Sequence, residues 1–141
     1  MDIRQVTARY HVSPQISAED VAALKEAGYS AVICNRPDAE VPPSHQAAAI
    51  GAAAEAAGLA FEVHPLTHQT MTPENVARQA ALVEASDGPV LAYCASGTRC
   101  TVIWALSQAP QQDPDTILAT AAEAGYDLQG LRPTLEALHR G

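Results

Sequence analysis

The chain reads as a single α/β domain, residues 1–141, with a central, mostly parallel sheet covered by helices on both faces. Three observations predict it. Short continuous apolar runs, Ala31-Val32-Ile33-Cys34, Ala60-Phe61-Glu62-Val63 and Pro89-Val90-Leu91-Ala92-Tyr93, have the character of strands buried on both sides. Helical stretches with their own start and stop signals separate these runs, and that alternation selects a parallel sheet. The composition, 48% hydrophobic and 17% charged over 141 residues, suits one globular domain able to bury a core without a disulfide or metal staple.

In chain order, Gln5 to Val12 is rich in β-favouring residues and predicts one or two strands. Ser17, with Asp20 three residues on, opens a helix that should stop at Gly28. After the strand 31–34, Ser44 is placed to cap an alanine-rich helix ending near Gly58. Beyond the strand 60–63, Thr72-Pro73-Glu74 sets a cap residue, a proline at the first helical position and an acid at the positive helix end. That helix should run to Ser86, with Gly88 just past it. The strand 89–93 leads into an apolar helix beginning near Thr98, in which Trp104 and Leu106 fit the buried face. Asp113-Pro114-Asp115 opens another helix, closed by Gly125, and a last helix covers Leu131 to Arg140. Nothing reads as a linker, an internal repeat or a low-complexity tract.

Eight Lys and Arg against 16 Asp and Glu give a formal charge of −8. A surface this acidic argues against nucleic acid and anionic membranes as partners. No apolar run approaches the roughly 18–20 residues that span a bilayer, and Met1-Asp2-Ile3-Arg4-Gln5 lacks the pattern of a signal peptide. A cytoplasmic protein is therefore expected. The cysteines are three, Cys34, Cys94 and Cys100, an odd count that does not suit a disulfide framework. No cofactor is expected. His64 and His68 stand four apart, but Pro65 argues against the helix that would pair them, so no metal site is expected either.

In a sheet of this kind ligands bind beyond the carboxyl ends of the strands. The segments to inspect are therefore Asn35-Arg36-Pro37-Asp38, His64 to Met71, and Cys94 to Cys100. The last is the informative one. A buried strand ends at Cys94, the small residues Ala95, Ser96, Gly97 and Thr98 make a loop, and a helix follows. Backbone N–H groups in such a loop form an anion cradle, and the positive end of the helix points to the same spot. Arg99 adds a charged donor fork. Together these should depress the Cys94 pKa and leave a thiolate, a nucleophile suited to an anionic substrate. Cys94 and Arg99 are thus the expected catalytic pair, with Ala95 to Thr98 as the anion-binding loop. Candidate accessory groups are Cys100, Cys34, His68 and Asp38. Cys100 reads either as a resolving thiol or as a small residue filling the first helical turn, and Cys34 either as a second resolving thiol or as core packing. Asn35, Arg36 and Asp38 either line the cleft or close a turn by an Arg36–Asp38 pair.

The segments Met1 to Gln5, Gln15-Ile16-Ser17, Val32 to Asp38, Tyr93 to Arg99 and Ala121 to Leu128 resemble the phosphatase-like domain of β-lactamase-hydrolase-like proteins, a bacterial family related to dual-specificity tyrosine phosphatases and rhodaneses. The resemblance covers nearly the whole chain. It implies a cysteine-phosphatase-like fold with Cys94 as nucleophile and Arg99 as oxyanion binder. Phosphatases of this fold carry one more residue between Cys and Arg than the four present here, and such a short loop resembles those of rhodanese-type sulfurtransferases. Phosphatases also use a carboxylic general acid on a neighbouring loop, whereas His64 to Thr72 contains no carboxylate. Cys100 stands where phosphatases place a hydroxyl.

Three functions follow, in order of expectation. The first is a sulfurtransferase that forms a persulfide on Cys94, taking sulfur from a small anion such as thiosulfate or a persulfide and passing it to a thiol or cyanide. By analogy with fused relatives, a persulfide dioxygenase is its expected partner. The second is a cysteine-dependent phosphatase forming a phosphocysteine on Cys94. The third is an inactive anion- or partner-binding module.

Overall fold

Five strands build one sheet in the order β1-β2-β5-β3-β4, in a computed structural model that describes every residue from Met1 to Gly141. They are β1 (Arg4–Gln5), β2 (Tyr10–Ser13), β3 (Ala31–Cys34), β4 (Ala60–Val63) and β5 (Val90–Tyr93). The pairs β2–β5, β5–β3 and β3–β4 are parallel, and β1 pairs antiparallel with β2. The antiparallel edge follows from chain length: a few residues separate β1 from β2, too few for the crossover that a parallel neighbour requires. The expected α/β sheet with helices on both faces is what forms.

Six helices cover it: α1 (Val21–Glu26), α2 (Ala47–Ala57), α3 (Pro73–Glu84), α4 (Thr98–Gln108), α5 (Pro114–Glu123) and α6 (Arg132–Arg140). The strands alternate between two cores. Ala31 and Ile33 of β3, with Val90 and Ala92 of β5, face the core under α4, α5 and α6. Val32, Cys34, Leu91 and Tyr93 face the core under α1 and α2. Both faces of β3 and β5 are buried, which is why these strands read as unbroken apolar runs. Helix α4 is buried continuously from Arg99 to Leu106 because α3, α5 and α6 pack around it. Its placement fixes the end of β5 against the functional loop.

The caps explain most boundaries. Thr72 Oγ1 accepts from Asn75 N at 3.2 Å and starts α3, and Asp113 Oδ1 accepts from Asp115 N at 3.0 Å and starts α5. At the first helix, Ser17 N donates to Asp20 Oδ2 at 2.9 Å, but a 3-10 turn over Ala18–Asp20 precedes α1. Helix α2 corrects its expected cap. Ser44 lies in a separate 3-10 turn, Pro43–His45, and Asp38 Oδ1 instead accepts from Ala47 N at 2.8 Å. Strand β4 also departs from expectation. It is an edge strand, mostly exposed, because nothing pairs beyond it. No helix is long and apolar enough to cross a membrane.

Candidate active site

The loop after β5 is shaped by where its carbonyls go. Ala95 O accepts from Gln15 N at 3.4 Å, Ser96 O from the Tyr126 hydroxyl at 3.0 Å, and Gly97 O from Thr101 N and Oγ1 at 3.1 and 2.8 Å. With the Ala95 and Ser96 carbonyls tied to donors from other segments and the Gly97 carbonyl taken into the first turn of α4, peptide planarity turns the N–H groups of the same peptides the other way, toward the inside of the loop. Gly97 makes the turn possible. Its φ is +92°, and a Cβ there would overlap the Tyr126 hydroxyl. Thr98 is an exception within the expected cradle: its N–H donates to Ser96 Oγ at 3.3 Å.

Cys94 sits at the focus of this loop. Gly97 N donates to its Sγ at 3.2 Å. The Cys94 pKa is drawn down to about 5, first by a hydrogen bond from the Cys100 thiol and then by the backbone N–H groups of Cys100, Gly97 and Ser96. These outweigh burial, which alone would raise it. Cys100 moves the opposite way: burial pushes its thiol well above the ordinary range, so it stays protonated and serves as donor. Cys94 is 0% exposed, with its sulfur beneath the loop.

Arg99 reaches back from the first turn of α4. Nη1 donates to Glu40 Oε2 at 2.9 Å and to Leu66 O at 2.8 Å, and Nη2 donates to Glu40 Oε1 at 2.7 Å. That occupies both Nη1 hydrogens and one on Nη2. The Nε–H and the second Nη2–H remain on one edge of the guanidinium, a fork that matches two oxygens of an anion. The Glu40 carboxyl is held below the usual carboxylate range, first by the hydrogen bonds from Arg99 and also by Arg36, whose Nε lies 3.2 Å from Oε1. Glu40, Arg99, Ala95, Ser96 and Thr98, with Thr67, His68 and Gln69 opposite, line a hollow of about 380 Å³ at the carboxyl end of the sheet.

The other expected residues are distributed differently. His68 lines this hollow. Asp38 does not: its carboxylate caps α2, and the expected Arg36–Asp38 pair is replaced by Arg36–Glu40. Cys34 belongs to the core on the opposite sheet face from Cys94 and Cys100, where it packs rather than resolves. Asn35 and His64 are buried in a polar network under α3. Asn35 Nδ2 donates to Gln79 Oε1 at 3.0 Å, His64 Nδ1 lies 2.7 Å from the same oxygen, and Gln79 Nε2 donates to the Tyr10 hydroxyl at 3.2 Å. Tyr10 in turn donates to Cys100 O at 2.7 Å, so the network braces the first turn of α4. No cluster of His, Cys, Asp and Glu suitable for a metal forms. Sequence reasoning missed Glu40 and Tyr126. Neither lies in the Cys-to-Arg motif, and only the fold brings them to it.

Comparison with known proteins agrees with this geometry. Residues 2–111 match the family described as beta-lactamase hydrolase-like protein, phosphatase-like domain. A beta-lactamase hydrolase-like protein of Xylella fastidiosa is 30% identical over 130 residues, which is 91% of this chain but 30% of that protein. The chain thus spans under a third of the length of that curated relative. Among solved structures, a candidate phosphatase from Neisseria meningitidis superposes with a TM-score of 0.87 at 31% identity, covering 98% of this chain and 99% of the other. PTPMT1 superposes with a TM-score of 0.75 at 12% identity, covering 98% and 94%, a likeness of fold alone. These findings fit the phosphatase alternative better than the sulfurtransferase expected first. With its fold, its cysteine-centred loop and this match in sequence, the chain belongs to the phosphatase-like domain family of beta-lactamase hydrolase-like proteins.

Proposed function

We propose that this domain hydrolyses phosphomonoesters through a phosphocysteine on Cys94. The observation that supports it most directly is the low-pKa Cys94 sulfur that accepts a backbone N–H from the loop, with the Arg99 charge close enough to interact with it. That arrangement stabilises both a thiolate and the oxygens of a transferring phosphoryl group. The thiolate attacks phosphorus, the P–O bond to the ester oxygen breaks, and an alcohol leaves. Water then attacks the phosphocysteine, releasing phosphate and restoring the thiolate. The leaving oxygen needs a proton. Glu40 is held ionised by Arg99, so His68 is the remaining proton donor lining the hollow.

Sulfur transfer is a second reading, favoured by the four-residue loop and by the absence of a carboxylate from His64 to Thr72. In it the thiolate attacks the outer sulfur of thiosulfate, sulfite leaves, and a thiol or cyanide removes the sulfur from the Cys94 persulfide. Sulfite departs as an anion and needs no acid.

One experiment separates the two. The reduced protein is incubated with 4-nitrophenyl phosphate or with thiosulfate, quenched in acid and weighed intact. A phosphoryl adduct on Cys94, together with turnover that Cys94→Ser abolishes, supports the phosphatase reading. A one-sulfur adduct on Cys94 that cyanide removes, with no phosphoryl adduct and no phosphate release, overturns it in favour of sulfur transfer.

A further inference from the structure

We propose that the substrate is an amphiphile, with an anionic head group in the hollow lined by Arg99 and the loop that covers Cys94, and an apolar tail in the cavity beside it. The inference rests on the reading of the hollow as a phosphoester site and goes on to name the substrate class. The cavity, of about 700 Å³, lies between α3, α4 and α6. Met71, Val76, Ala80, Val102, Leu106 and Leu131 are among its walls. Its lining includes no Asp, Glu, Lys or Arg, in a chain whose formal charge is −8. The space opens to the surface, and its size is in the range of small-molecule sites.

Two features join cavity to hollow. The first is His68, which lines both. The same loop walls the hollow with Thr67, His68 and Gln69 and the cavity with His68 and Met71. The second is α4. Arg99 faces the hollow, and Val102 and Leu106 face the cavity, a stripe at i, i+3 and i+7 along one side of the helix. From Arg99 to Leu106 the helix rises about 10 Å, the reach of a medium-length alkyl chain. A ligand with its charge at Arg99 and its tail laid along this stripe meets a charged donor at one end and apolar carbon along the rest. Neither half alone matches both.

The test is calorimetric titration of the non-turnover Cys94→Ser protein with methyl, butyl and octyl phosphate, with octanol as the control lacking a head group. Each methylene buried should tighten binding about three- to fourfold, on the order of a hundredfold from butyl to octyl phosphate. Octanol should bind far more weakly than octyl phosphate. Ala77→Phe, which fills the cavity from its rim, should reduce the butyl-to-octyl gain to less than about tenfold. Equal affinity for all three phosphates would overturn the tail site and leave the head-group reading intact. Octanol binding as tightly as octyl phosphate, with methyl phosphate unbound, would overturn the joined site by removing the head-group reading instead. A full gain retained in Ala77→Phe would place the tail elsewhere and overturn the proposal.

Discussion

Arg99 grips Glu40 with both terminal nitrogens, at 2.7 and 2.9 Å, across 59 residues of sequence. The pair leaves the Nε edge of the guanidinium free, so Glu40 acts as a positioning residue for Arg99 rather than as a competitor for its charge. Glutamine at position 40 supplies one oxygen where the guanidinium needs two. Glu40→Gln should therefore lower kcat/KM about ten- to a hundredfold, the loss of one charged hydrogen bond. Steady-state kinetics would check it, read beside a melting temperature that falls modestly because the ion pair is also lost from the fold. A near wild-type kcat/KM would remove Glu40 from the site.

The Cys100 thiol is the leading cause of the low Cys94 pKa. Ultraviolet thiolate absorbance of the wild type should titrate with a midpoint of about 5. Cys100→Ala removes the donor and should move the midpoint up, while Cys100→Ser keeps a hydroxyl donor and should leave it low. The sign for stability follows. A thiol whose folded value is depressed contributes stability above the ordinary thiol range, and that contribution is lost as pH falls through about 5. Cys94→Ala should thus destabilise the protein more at alkaline than at acid pH, read as a melting-temperature difference.

Gly97 combines a left-handed φ of +92° with the Tyr126 hydroxyl where a side chain would begin. Gly97→Ala should cost about 1–3 kcal/mol of stability, measured by denaturant unfolding, and should also raise the Cys94 midpoint, because the Gly97 N–H would leave the sulfur. Burial holds the Tyr126 phenol at about 12, so it remains a donor to Ser96 at neutral pH. Tyr126→Phe should have a smaller effect of the same sign.

His68, as proton donor to the leaving oxygen, should matter in proportion to how poor the leaving group is. His68→Asn should leave hydrolysis of activated aryl phosphates within about tenfold, and should slow alkyl phosphates by about 10²–10⁴-fold. A uniform effect on both classes, read as a leaving-group plot, would assign His68 to binding instead.

The fold was legible because β3 and β5 are buried on both faces and their helices carry strong end signals. Thr72-Pro73 and Asp113-Pro114 begin α3 and α5 as read, since those caps are local. Where the determinant was distant, the reading failed. Ser44 looks like a cap, but Asp38 reaches Ala47 across nine residues and takes the role. Cys94 and Arg99 were legible because strand, loop and helix are contiguous. Glu40 and Tyr126 were not, because they arrive from the ends of other elements and carry no spacing relationship to Cys94. The positions of Asn35 and His64 were left open for a related reason. Sequence shows that they end strands but not that Gln79 draws them under α3.

The complete burial of Cys94 makes the loop a filter by charge before it is a filter by shape. The N–H donated to the sulfur and the charge of Arg99 nearby favour an anion there and give a neutral molecule nothing comparable. The overall charge of the protein repels those same anions at a distance. Selectivity at this thiol is therefore decided within the last few ångströms of approach. Mobile ions, which weaken the distant repulsion more than the short-range attraction, should favour reaction here where they would suppress it at an exposed cationic site.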